Sequence, residues 1–174
     1  MPPWHPSGSG GAVRGVALRG HLTLIISAAE SAAGSGAELA RTVTARQSRQ
    51  QILYDSAKTF TFVITETALR WRFCPGEVMA AQAGHIASLA TLANVEIGVI
   101  FMGAAVADIP LHGHQIFDDR LASVELEHAV VTVTDPRDIA TYLRLFATMS
   151  QAAEFGQAAR SRLAEIGSTL DRRR

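Results

Sequence analysis

With 174 residues, 48% of them hydrophobic and 18% charged, the chain is long enough to bury a real core and too apolar for a disordered polymer. Its formal net charge is zero, which argues against a surface that wraps nucleic acid, since phosphate binding needs a surplus of Lys and Arg. The one cysteine, Cys74, excludes an intramolecular disulfide and a CxxC zinc site, so a cytoplasmic location is expected.

Residues 1–36 hold seven of the fourteen Gly and three of the six Pro, with the run Ser7-Gly8-Ser9-Gly10-Gly11. Such a stretch is expected to be mostly disordered, because it has little apolar surface to offset its ordering entropy. Arg14 and Arg19 before Leu22-Thr23-Leu24-Ile25-Ile26 give the rough outline of a secretory signal, but the apolar run is short and Gly20-His21 interrupts its approach. No stretch nears the ~20 apolar residues of a membrane span, so no membrane partner is expected. A single regulatory-sized domain is expected over 37–170, followed by a basic tail at 171–174.

From Glu38 to Tyr54 a helix is predicted with a thin apolar stripe, Leu39, Val43, Ile52 and Leu53, and a basic face bearing Arg41, Arg46 and Arg49. Phe60–Thr65 reads as a strand and Glu66–Trp71 as a turn or short helix. Pro75 suits the first turn of a helix that runs to about Leu92, with Met79, Gln82, Ile86 and Leu89 at helical spacing. Val95–Phe101, nearly all apolar, is a buried strand, and the order strand, helix, strand makes a βαβ unit with parallel strands. Three short strands follow at His114–Phe117, Ala122–Leu126 and Val130–Thr134, with a turn at Asp118-Asp119-Arg120. Asp135-Pro136 opens a helix with core positions Ile139, Tyr142, Leu143, Phe146 and Met149, and a second helix spans about Ala152–Leu170. The predicted class is α+β: a mixed sheet of about five strands, one βαβ unit followed by antiparallel strands, packed by helices, two of them C-terminal.

Candidate chemistry is sparse. His112 and His114, two apart on an extended segment, point the same way and could share a metal, but no third ligand completes the set, so no metal or cofactor is expected. The plain alternative is two solvated loop histidines. Cys74 precedes a helix start that would lower a thiol pKa, and His85 lies on the helix behind it; a buried, inert cysteine is the commoner case. Glu66, with Arg70 and Arg72 near, fits an anion site or an ordinary helical ion pair. Glu125 and Glu127 share a strand face with no sign of a pocket, as expected of a solvated face. No catalytic set is evident, and the expectation is not an enzyme.

A resemblance adds to this. Several stretches occur in order and at matching spacing: Ala45-Arg46-Gln47-Ser48-Arg49-Gln50-Gln51-Ile52-Leu53-Tyr54, Phe60 through Arg72, Pro75-Gly76-Glu77-Val78-Met79 with Gln82, and Ala93 through Ile100. Pro110-Leu111-His112-Gly113, Ile116-Phe117-Asp118-Asp119-Arg120 and Thr132-Val133-Thr134-Asp135-Pro136, leading to Tyr142 and Phe146, follow. Together they resemble the antitoxin-like domain of poorly known function that follows an XRE-type helix-turn-helix in many actinobacterial transcription regulators. The resemblance implies a regulator that binds DNA through an upstream helix-turn-helix, with this domain sensing a partner or ligand. A small protein encoded nearby, a second copy or full-length relatives are the expected partners, and with the helix-turn-helix missing no specific DNA binding is expected of this chain alone. The candidate partner- or ligand-binding residues of this chain are Arg46, Arg49, Glu66, Arg70, Trp71, Arg72, His112 and His114. Surface uncovered by the missing preceding segment would form an apolar groove lined by Leu39, Val43, Trp71 and Phe73. Each of these four could equally be plain core, the commoner case for Leu39 and Val43.

The departures are the helix-turn-helix itself, the Pro-Gly-Leu-Leu-Gln-Thr segment with its Tyr-Ala-Arg sequel before residue 45, an aromatic where His114 stands, and Pro-Phe where Phe101-Met102 stands. They imply a truncated, misassigned or degenerating member. The rival readings are a small metal-dependent hydrolase using His112 and His114, and a nonfunctional fragment.

Overall fold

The computed structural model describes residues 11–17, 51–71, 75–108, 110–126 and 128–172. The expected helix over Glu38–Tyr54 falls outside them except for its end, Gln51–Tyr54, which is a 3-10 turn. The strands are β1 (Ala12–Ala17), β2 (Thr59–Thr65), β3 (Val95–Ile100), β4 (His114–Phe117), β5 (Leu121–Glu125) and β6 (Val130–Val133). The helices are α1 (Glu66–Arg70), α2 (Gly76–Leu89), α3 (Pro136–Ala152) and α4 (Gly156–Asp171).

The strands form one mixed sheet in the order β3-β2-β1-β4-β5-β6. β2 and β3 are parallel, as the βαβ pattern predicts, and β4, β5 and β6 continue antiparallel. The class is α+β as expected, but the sheet has six strands among the described residues where about five were predicted. The addition is β1, inside the stretch 1–36 for which mostly disorder was expected. It pairs parallel with β2 and antiparallel with β4, so it stands in the middle of the sheet. Its sequence, Ala-Val-Arg-Gly-Val-Ala, has only two β-branched residues and sits beside a glycine run, so its partners fix it and its propensity does not.

Alternation along the strands divides the core in two. Phe60, Phe62 and Ile64 of β2, with Val95, Ile97 and Val99 of β3, face α2 (Met79, Ile86, Leu89) and α4 (Leu163, Ile166, Leu170). On the other face Val63, Ile100, Ile116 and Ala122 meet Phe146 and Met149 of α3. Where α2 and α4 pack, a Cβ on Gly167 would lie 3.5 Å from the Ala80 carbonyl and the Ala83 Cβ, so small residues set that close approach.

The helix boundaries follow their signals. Asp135 caps α3 by accepting from the Arg137 N–H at 2.8 Å, with Pro136 as the first helical residue. Thr65 caps α1 in the same manner, its hydroxyl accepting from the Ala68 N–H. Pro75 lies one position before α2, at its N-cap. Asn94, just ahead of β3, donates its amide to the carbonyls of Leu53, Asp55 and Lys58 at 3.0–3.1 Å and ties the turn before β2 to the start of β3. No helix among the described residues is long and apolar enough to cross a membrane.

Candidate functional site

Pairing brings the carboxyl ends of β1, β2 and β3 and the amino end of β4 to one end of the sheet: Ala17 is level with Ile64, Thr65 with Ile100, and Val16 with His114. The carboxyl ends of parallel strands are where open α/β sheets place their ligands. Glu66, Arg70, Trp71, His112 and His114 all fall at this end, but they gather into two groups.

In the first group, Glu66 opens α1 with only 8% of its surface exposed. Arg70 Nε donates to its Oε1 at 2.6 Å, and the Met102 N–H donates to Oε2 at 2.9 Å. Burial pushes the carboxyl pKa up, yet the Met102 and Arg70 hydrogen bonds and the charges of Arg70 and Arg162 outweigh it, and the net shift is downward. Glu66 is thus an ionised tie between α1 and the end of β3 as well as a helical ion pair. Arg162 of α4 lies over the Phe101 ring, 4.5 Å from its centroid, and also bonds Glu165 at 2.9 Å. Beside this tie, Trp71 is 51% exposed and Met102 66% exposed; in the loop leading to β4, Leu111 is 99% exposed.

The second group belongs to the opposite face of the sheet. His114 opens β4 with 3% exposure, so the reading of two solvated loop histidines does not hold for it. The Tyr142 ring of α3 lies 5.0 Å from the His114 ring and 6.0 Å from the His112 ring. Both His114 ring nitrogens and His112 Nδ1 are buried with no hydrogen-bond partner. Burial pulls the His114 pKa from 6.5 down to about 4, His112 adds to the fall, and the backbone of His112 and Tyr142 opposes it more weakly. His114 is therefore neutral at pH 7.

The two groups are not one site. Val63 pairs with Val16 and Val16 with His114, which sets His114 two strands, ~10 Å, from β2, with Glu66 three residues further along. Among the described residues no three His, Cys, Asp or Glu side chains come together as metal ligands. Asp118 and Asp119 form the β4–β5 turn with positive φ of 52° and 54°; Asp118 accepts from the Ala12 N–H and Asp119 pairs with Arg14, so both hold the sheet together. Glu125 belongs to β5. Arg46, Arg49, Arg72, Leu39, Val43, Phe73, Cys74 and Glu127 lie outside the described residues.

Sequence reasoning missed three participants: Tyr142 as the ring against both histidines, Met102 as the backbone donor to Glu66, and Arg162 as a second cation near it. Tyr142 sits in the predicted α3 stripe, so its inward direction was readable. The Glu66–Met102 contact spans 36 residues and left no local signal.

A family model described as Domain of unknown function (DUF5753) matches residues 20–165. No curated protein and no solved structure matches the chain.

Proposed function

The chain belongs to the DUF5753 family, and from that membership and the XRE-regulator resemblance we propose that it is a regulatory domain of a helix-turn-helix transcription regulator, acting by binding and not by catalysis. One observation carries this reading. At the carboxyl end of the sheet Glu66 and Arg70 are held in internal contacts and His114 is kept neutral, while Trp71, Met102 and Leu111 present apolar surface. Exposed large apolar side chains suit a protein or peptide partner, because recognition energy concentrates in a few such side chains. The small protein encoded beside genes of this kind is the first partner to try.

Calorimetric titration of the chain with that protein tests the proposal. Saturable 1:1 binding is expected, and a Trp71→Ala, Leu111→Ser double variant should weaken it by ~10-fold or more, as loss of an interface anchor does. No heat at micromolar concentrations, or binding unchanged by the double variant, would remove this surface from the reading. A gel shift at ~150 mM salt should show no sequence-specific retention of promoter DNA by this chain. The metal-dependent hydrolase reading requires stoichiometric metal in purified protein that is lost in a His112→Ala, His114→Phe variant.

A further inference from the structure

Three buried nitrogens of the histidine pair have no partner. Nearly all buried polar atoms of native proteins are hydrogen-bonded, so each orphan calls for an explanation. Here both nitrogens of His114 and Nδ1 of His112 are orphans, in two residues separated by Gly113 alone, and His114 is 3% exposed.

The fold puts this pair where sheets of this kind hold ligands. The strand order β3-β2-β1-β4 means that the chain steps from β1 through β2 to β3, then returns past both to lay β4 on the other side of β1. The crevice at such a reversal, outside the carboxyl ends of parallel strands, is the usual binding place. His114 stands there, level with Val16 near the carboxyl end of β1. Tyr142 of α3 flanks the pair, its ring 5.0 Å from the His114 ring and 6.0 Å from the His112 ring. His112 is only partly buried and gives a way in from solvent.

The donors select the ligand. Burial without an acid beside it keeps an imidazole neutral, and neutral imidazole nitrogen is a metal ligand. The carboxylate of Glu66 is engaged by Arg70 and by the Met102 N–H, and among the described residues no third His, Cys, Asp or Glu joins the pair. A divalent ion such as Zn(II) would lack the further ligands that protein sites give it. A monovalent d10 ion needs none, because two nitrogens in line complete its coordination.

We propose that His112 and His114 form a two-coordinate site for a monovalent d10 metal ion, Cu(I) or its analogue Ag(I). Each ring supplies one nitrogen. No open position is left for a reactive water, unlike the hydrolytic sites that keep one. The site lies on the sheet face opposite Glu66 and does not depend on partner binding at Trp71 and Met102.

Anaerobic competition for Cu(I) against bicinchoninate, with X-ray absorption at the copper edge, tests this. The background is the Cys74→Ser chain, because a thiolate takes the same ions. One Cu(I) per chain is expected, with two nitrogen neighbours and no sulfur. His112→Ala and His114→Phe should each weaken binding by more than ~100-fold, beyond what loss of a merely supporting residue costs. A His85→Ala, His128→Ala double variant, which removes two exposed histidines, should bind like the background. Ag(I) should raise the melting temperature of the background and leave that of the His114→Phe variant unchanged. No stoichiometric Cu(I) in the background, or binding unchanged in His112→Ala and His114→Phe, would overturn the proposal. Three or four neighbours at the metal, or Zn(II) bound as tightly as Cu(I), would overturn it too and favour the hydrolase reading.

Discussion

At the scale of single residues, His114 makes the sharpest demand. Its ring is buried against Tyr142 with both nitrogens unpartnered. Its folded pKa of about 4 lies below the 6.5 of an unhindered imidazole, so between those values the unfolded chain binds a proton that the native chain does not. Stability is thus unaffected by this group above pH ~6.5 and falls as pH drops toward 4, by an upper limit of about 3 kcal/mol. Glu66, whose pKa is lowered, acts in the opposite range: its contribution is intact above the ordinary carboxylate pKa of 4.5 and is lost as pH falls through its lower folded value. Urea midpoints at pH 7 and pH 4.8 should therefore differ for the wild type, and His114→Phe should remove most of that difference. An equal pH slope in both proteins would mean that the ring is not buried neutral. The two histidines were legible in the sequence as a pair, but their setting was not, because burial depends on Tyr142, 28 positions past His114. Glu66 was legible for its i,i+4 partner Arg70 and silent about Met102 for the same reason.

At the scale of elements, local signals decided how much could be read. The Asp135-Pro136 start of α3, the β-branched runs of β2 and β3, and the Asp118-Asp119 turn carry their own chemistry, and the structure has each of them where that chemistry puts it. β1 carries almost none. Gly15 in its middle reads as a strand breaker, yet a Cβ there would lie 3.2 Å from the Phe62 ring, so the glycine lets β1 approach β2. Gly98 in β3 is more demanding: a Cβ would fall 2.5 Å from the Phe155 ring, which the α3–α4 connection lays against the strand. Gly98→Ala should cost about 1–3 kcal/mol, the range for overpacking a filled site. Phe155→Leu should recover part of that loss in the double variant, because the two changes share one contact. Strictly additive losses in denaturant melts would show that the ring does not set the requirement.

At the scale of the whole molecule, connectivity within the sheet matters more than any single contact. β1 alone joins β3-β2 to β4-β5-β6 among the described strands, through its parallel ladder with β2 and its antiparallel ladder with β4. Without it, β2 and β4 become open edges, and α3, which packs against Val63 of β2 and Ile116 of β4, spans a gap. The region matched by the family model, 20–165, excludes β1 and also Ile166 and Leu170 of α4, both buried in the core beside α2. Membership of the family is thus written in a stretch of sequence that does not contain the whole sheet. A protein of residues 20–165 should accordingly lose cooperative unfolding and bind a hydrophobic dye, since two new strand edges and part of the core become exposed. A protein of residues 11–172 should keep a single sharp transition. Adding a peptide of residues 8–19 to the shorter protein tests the same dependence without a new chain: β1 supplied in trans should restore cooperativity if its two ladders join the halves of the sheet. A sharp transition in the 20–165 protein alone would mean that β2 and β4 close on each other and that β1 is dispensable.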